Sequence, residues 1–195
     1  SSSICLDATA HSFGLSPAYS AHRLQASTLT DQLDEASMGK SNIVSIAIDP
    51  TAATLQAGHT GLALWMDPET GRWNTSSYYQ TALPSWAGKT ADDYLANRWE
   101  PLGIPALYHA ISTSKTKTFA YDLAQFCYGK NKYKQFATTP YANSMVADLA
   151  MQAIQNYGIG KDIWPDMLLL QFSLQPLYTQ TSAPMSIELE DAYLR

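Results

Sequence analysis

Four histidines, His11, His22, His59 and His109, are the groups in this 195-residue chain best suited to proton transfer or metal ligation near neutral pH. Their spacing builds no site. Asp7 and His11 stand at i, i+4, but nothing joins them to complete a helical metal face, so the pair is at the level of chance. His59 follows Ala57-Gly58 without potential co-ligands nearby, and a hydrogen-bonded structural role is expected for it. Ser27 and Thr28 have no adjacent base that would make either a nucleophile. Glu188, Glu190 and Asp191 could supply an acid/base pair, but on a surface helix they are expected as a solvated acidic face. Trp65, Trp73, Tyr78, Tyr79 and Trp86 gather in one stretch. They are expected mainly as core, with an aromatic platform for sugar or lipid as the alternative.

Composition narrows the classes further. Apolar residues make up 46% of the chain, enough to close a core without staples, and the length suits one domain over 1–195. Net charge is −5 and only 15% of residues are charged. The one basic run, Lys115, Lys117, Lys130, Lys132 and Lys134, reads as a solvated loop, and no nucleic-acid partner is expected. Cys5 and Cys127 are too few for a disulfide scaffold or a zinc knuckle, leaving two buried thiols or one long-range bridge. Apolar runs such as Leu62 to Met66 fall far short of a membrane span. No signal peptide is visible, and a start at Ser1 instead of Met is expected of a cut or engineered N-terminus.

The elements that must position any site alternate between helix and strand, which implies an α/β domain. Helical spacing runs from Arg23 to Ala36 and stops at Gly39. Asn42 to Ile48 is a buried strand that enters a turn at Asp49-Pro50. Residues 61–79 read as a hairpin joined through Asp67-Pro-Glu-Thr-Gly71. A helix is expected from Leu83-Pro84 to about Trp99, and the region from Gly103 to Thr139 has no regular pattern. Asn143 to Tyr157 predicts a helix with Met145, Leu149, Ala153 and Ile154 on one face and Gly158 as its stop. A strand over 167–172 and a final helix opening at Pro184 follow. The chain stops at Arg195 inside that helical pattern, as expected of a longer protein truncated there.

Several blocks, in order and in register, carry a family resemblance. They are Leu24-Gln-Ala-Ser-Thr-Leu-Thr-Asp-Gln-Leu33, Ser45 to His59, Trp65 to Tyr79, Leu83-Pro-Ser-Trp86, Thr139-Pro-Tyr-Ala-Asn143 with Asp148, and Ile159-Gly-Lys-Asp162. The last is Asp166-Met-Leu-Leu-Leu-Gln-Phe-Ser-Leu-Gln-Pro-Leu-Tyr-Thr-Gln180, running on to Ile187-Glu-Leu-Glu-Asp-Ala-Tyr193. Together these resemble the alkaline phosphatase superfamily, specifically the exported, phosphate-irrepressible type related to the type I phosphodiesterase–nucleotide pyrophosphatases. The resemblance implies a sandwich with a central, mostly parallel sheet, helices on both faces and a hairpin insertion. It also implies an extracytoplasmic, periplasmic location, zinc as the family cofactor, and a parent chain whose remainder packs on this segment.

The functional residues of the family do not carry over. Asp49 and Thr51 stand where the resemblance places a phosphate-contacting Lys and Arg. Pro176 and Gln180 stand where it places a metal-binding Asp and His. Proline has no side-chain donor atom, and a neutral amide is a poor zinc ligand. The family's nucleophilic Thr and its metal-binding Asp lie before this segment, and its other ligands lie after it. The expectation is a pseudoenzyme segment with no catalytic residue and no metal of its own, inactive when assayed alone. The alternatives are part of a metal-dependent phosphate- or sulfate-ester hydrolase completed by other regions, and an extracytoplasmic surface- or carbohydrate-binding module.

Overall fold

The computed structural model describes residues 4–109, 118–173 and 186–195. In chain order the elements are α1 (Leu29–Ala36), β1 (Ile43–Ala47), α2 (Pro50–Ala57), β2 (Leu62–Met66), β3 (Trp73–Asn74), β4 (Arg98–Trp99) and β5 (Tyr121–Asp122). They continue with α3 (Leu123–Phe126), α4 (Lys132–Phe136), α5 (Pro140–Asn156), β6 (Met167–Gln171) and α6 (Ile187–Leu194). These residues divide into two compact units, one of Ser1–Thr90 with Met145–Phe172 and one of Ala91–Ser144 with Ser173–Arg195.

The first unit is built on a sheet in the order β3-β2-β1-β6. β1 lies parallel to β2, with Val44 beside Leu62, and parallel to β6, with Ile43 beside Met167. The two strands expected in one central sheet are therefore neighbours in an α/β fold. β1 and β2 are buried throughout, as continuous apolar strands of parallel sheets are. β6 was expected to be equally buried but is half-buried along its length, because it forms the sheet edge.

Local chemistry sets the helix limits. α1 begins at Leu29 instead of Arg23 because Thr28 and Asp31 form a capping box: Asp31 N–H donates to Thr28 Oγ1 at 3.2 Å, and Thr28 N–H to Asp31 Oδ2 at 2.8 Å. Asp49-Pro50 is a helix start and not the expected turn. Asp49 is the N-cap of α2 and Pro50, whose fixed φ suits the first turn, opens it. Ala53 and Ala57 of α2 pack on Ala47, Ala63 and Trp65, small residues that let the helix lie close to the sheet.

Two expected elements are shorter or absent. Beyond Asn74 the third strand leaves β2, and its backbone pairs instead with the N-terminal segment: Phe13 N–H donates to Thr75 O at 3.3 Å and Ser77 N–H to His11 O at 2.8 Å. Residues 83–99 are not a helix. A turn closes at Pro84–Ala87, a 3-10 turn spans Ala91–Tyr94, and Trp99 enters β4. Gly88 weakens any helical ladder there.

α5 forms as expected and ends before Gly158, at φ 83°. Met145, Leu149 and Ala153 are buried with Val146 and Ala150, but Ile154 is 40% exposed. It lies roughly 40° beyond Ala150 around the axis, at the border of the buried face.

In the second unit β4 and β5 pair antiparallel, setting Trp99 beside Tyr121. Trp99 and Leu123 are fully covered by Leu95, Phe119, Tyr121, Phe126, Tyr141 and Ala192. Tyr108 and Ile187 pack on Phe119.

Candidate functional site

Open parallel sheets carry ligands at the carboxyl ends of their strands. β1 leaves the sheet there through Ile48 and Asp49, and β6 ends beside it, since Ala47 faces Gln171. Asp49 and Thr51 thus lie at that edge of the sheet, the first as the N-cap of α2 and the second in its first turn. The Asp49 carboxylate accepts the Ala52 N–H at 2.8 Å, so it fills the position at the α2 N-terminus where an external anion would otherwise be favoured.

Two neighbouring neutral groups sense the Asp49 charge. Burial, and next the charge of Asp49, push the Cys5 thiol up. Burial and Asp49 likewise raise Tyr19, whose ring meets Trp65 edge-on at 5.8 Å. Asp7, two residues beyond Cys5, is buried, which alone would raise its carboxyl. Hydrogen bonds from Ser20 and Thr9 outweigh that and hold it down to about 2. The Asp49 carboxylate at the α2 N-terminus opposes phosphate, which Lys and Arg clamps would attract.

Pro176 and Gln180 lie outside the described residues. A zinc ion is a poor fit to these two residue types, and among the described residues no three His, Cys, Asp or Glu side chains converge on a common point.

His59 has the structural role expected of it. Its backbone N–H donates to Asp31 Oδ1 at 2.6 Å, Nδ1 lies 2.8 Å from Asp31 Oδ2, and Nε2 lies 2.9 Å from Leu24 O. The Asp31 hydrogen bond raises the His59 pKa against the opposing effect of burial. Gly58, at φ 66°, lets the chain pass over this knot, because a Cβ there would collide with the Thr28 hydroxyl and the Asp31 carboxylate. Thr28 is committed to the α1 cap. His109 is exposed, with Nδ1 3.5 Å from Glu190. Cys5 and Cys127 are buried free thiols.

The acidic helix corrects its expectation. Asp191 is not solvated but fully buried at 0% exposure. It accepts from Trp99 Nε1 at 2.7 Å, Leu102 N–H at 2.6 Å, the Tyr108 hydroxyl at 2.7 Å and Arg195 Nε at 2.8 Å. Burial raises its carboxyl, but these donors overcome that and leave it below the usual carboxylate range. Glu188 accepts from the Tyr121 hydroxyl and Glu190 from His109 N–H, so the acidic face organises its own unit. The aromatic platform is likewise only partly presented: Trp65 and Trp73 are buried, while Tyr78, Tyr79 and Trp86 are half-buried.

Sequence reasoning missed a cleft beside Trp86. It is lined by Trp73, Trp86, Lys89, Asp148, Met151 and Gln152, among others. Lys89 Nζ meets Asp148 Oδ2 at 2.7 Å in its wall. The signal available in the sequence was Trp86 itself, close to a Lys in a Gly-containing turn.

No protein-family model matches the chain. Over 192 residues, 88% of this chain, it is 34% identical to a Myroides odoratus protein named a calcium-transporting ATPase. It is 32% identical over 91% of its length to alkaline phosphatase PafA of Elizabethkingia meningoseptica. It is 30% identical over 88% of its length to alkaline phosphatase PhoV of Synechococcus elongatus. The chain spans about a third of the length of these relatives (35%, 35% and 34%). Wild-type PafA superposes with a TM-score of 0.77 at 28% identity, covering 97% of this chain and 41% of that one. A multiply substituted PafA superposes at 0.78 and 29% identity with the same coverage.

Proposed function

We propose that this chain, which is related by sequence and fold to the alkaline phosphatases, is a segment of that fold whose phosphate- and metal-handling positions have been replaced. On this reading it is a non-hydrolytic, pseudoenzyme-type segment. The observation that carries the proposal is the Asp49 carboxylate seated on the α2 N-terminus at the carboxyl edge of β1. Catalysis of phosphoryl transfer rests on positive groups and metal ions around the transferring oxygens. An anion fixed at that place works against both binding and turnover.

Further chain packs along β6 in this reading. Met167 to Leu170 are apolar yet only half-buried, and a parallel edge strand of this composition calls for a partner strand or a helical cover. An extracytoplasmic, periplasmic setting follows from the resemblance to exported phosphatases.

The test is metal analysis and turnover of a chromogenic phosphate ester, with zinc added, by this chain and by any longer chain that contains it. No turnover in either supports the proposal. Chelator-sensitive turnover in the longer chain alone supports the second reading, a metal-dependent ester hydrolase completed by other regions; the chain's span of about a third of its relatives favours that reading.

A further inference from the structure

We propose that the loop 101–107 of the second unit is a lipid-contacting tip that seats in the headgroup layer of a zwitterionic bilayer. This stands apart from the phosphatase reading, since Asp49 and Thr51 belong to the other unit.

The loop reads Pro-Leu-Gly-Ile-Pro-Ala-Leu, without one polar side chain. Its large aliphatic residues turn outward: Leu102, Ile104 and Leu107 are 63%, 64% and 64% exposed. They lie together, because Leu107 N–H donates to Ile104 O at 3.0 Å and Leu107 Cδ1 lies over Gly103, 3.7 Å from where a Cβ would stand. Leu194, also exposed, follows Asp191 by three positions on α6, on the same side of the helix as the carboxylate that holds Leu102. Clustered surface residues of this kind mark a contact site, where single exposed leucines would not.

The loop is braced from inside. Leu102 N–H donates to Asp191 Oδ1 at 2.6 Å, Gly103 N–H to the Tyr108 hydroxyl at 3.0 Å, and that hydroxyl to Asp191 at 2.7 Å. Pro101 and Pro105 carry no N–H at all. With Leu107 also bonded, entry into a poorly hydrated layer forfeits few backbone hydrogen bonds. A preformed loop also loses little freedom on binding.

Charge selects the kind of surface. The charges beside the loop stand in opposite pairs: Arg98 Nε lies 3.4 Å from Glu100 Oε2, and Arg195 Nε 2.8 Å from Asp191 Oδ2. Arg98 and Glu100 are both exposed. A cation and an anion side by side complement the phosphate and the quaternary ammonium of a phosphocholine headgroup. An anionic bilayer offers no such match, and it repels a net charge of −5. Hot spots for protein partners are rich in Trp, Tyr and Arg, whereas the exposed side chains of this tip are Leu and Ile.

The experiment is flotation of this chain with phosphatidylcholine vesicles, repeated with vesicles rich in phosphatidylglycerol and at high salt. Saturable, salt-resistant partition into the phosphatidylcholine vesicles is expected. Ile104→Asp and, separately, Leu107→Asp should each weaken it about tenfold or more. Leu15→Asp, at an exposed leucine of the first unit, should leave it unchanged. The proposal is overturned by the absence of partition into phosphatidylcholine vesicles, by partition that both loop substitutions leave intact, or by partition into the phosphatidylglycerol vesicles alone. A dimer that forms without lipid and that Ile104→Asp dissolves would assign the loop to a second copy of the chain. Partition by this chain but not by a longer chain that contains it would assign the loop to the rest of that chain. Either result overturns the proposal as well.

Discussion

The carboxylate of Asp49 accepts the backbone N–H of Ala52 at 2.8 Å, and Pro50 between them has no N–H to offer. One short side chain thus completes the first turn of α2 and also places a negative charge at the edge of the parallel sheet. Removing the cap has a defined cost. Asp49→Ala is expected to destabilise the protein by about 0.5–2 kcal/mol, and Asp49→Asn by much less, since asparagine also caps. Urea unfolding of the three proteins checks this; equal stability of Asp49→Ala and wild type would mean that the cap contributes nothing.

His59 and Asp31 give a pH signature. The His59 pKa is raised, so its contribution is fully present below the unfolded value of about 6.5 and is lost as pH rises through the folded value. The Asp31 pKa is lowered, so its contribution is present above the unfolded carboxylate value and is lost as pH falls through the folded one. The stability gap between wild type and His59→Gln should therefore be widest between those limits and narrow on both sides. The pair is partly exposed, so the gap should reach only about 0.5–1 kcal/mol. A gap that grows towards alkaline pH would contradict the assignment.

Asp191 should be the most sensitive carboxylate of the second unit. Asp191→Ala strands the Trp99 and Tyr108 donors in the interior and leaves Arg195 without its carboxylate, at an expected cost of about 3 kcal/mol. Near-UV circular dichroism during unfolding reports on Trp99 directly. Because the Asp191 pKa is lowered, its contribution is present above the unfolded value and disappears as pH falls through the folded one. A mild, surface-like effect of the substitution would restore the solvated-face reading.

How much of this was legible in the sequence differs by element. β1 and β6 were readable because parallel strands are continuous apolar runs, and α5 because its apolar residues recur on one face. α2 was not: Ala and Thr leave no amphipathic stripe, and Asp-Pro reads equally well as a turn or as an N-cap followed by a first helical residue. The role of Asp191 was hidden because Glu188 to Asp191 looks like any acidic helix surface, while the partner Trp99 lies 92 positions away. The available clue was that a buried indole and phenol each need an acceptor. In the second half of the hairpin, long-range pairing with residues 11–13 overrode local alternation.

α5 offers a paired test of burial. Ala153→Leu should cost about 1–3 kcal/mol by overpacking, while Ile154→Lys should stay within about 0.5 kcal/mol. Thermal unfolding of both variants decides it, and a larger loss in Ile154→Lys would reverse the assigned faces.

The most direct test of the proposed replacement of a phosphate site is a titration of the chain with inorganic phosphate, followed at the backbone amides of Thr51, Ala52 and Ala53. Wild type is expected to show no saturable change, because the Asp49 carboxylate already holds the Ala52 N–H. Asp49→Lys combined with Thr51→Arg should gain weak, salt-sensitive phosphate binding at those same amides, without ester hydrolysis. Saturable binding of phosphate to wild type at Ala52, undiminished by salt, would contradict the account.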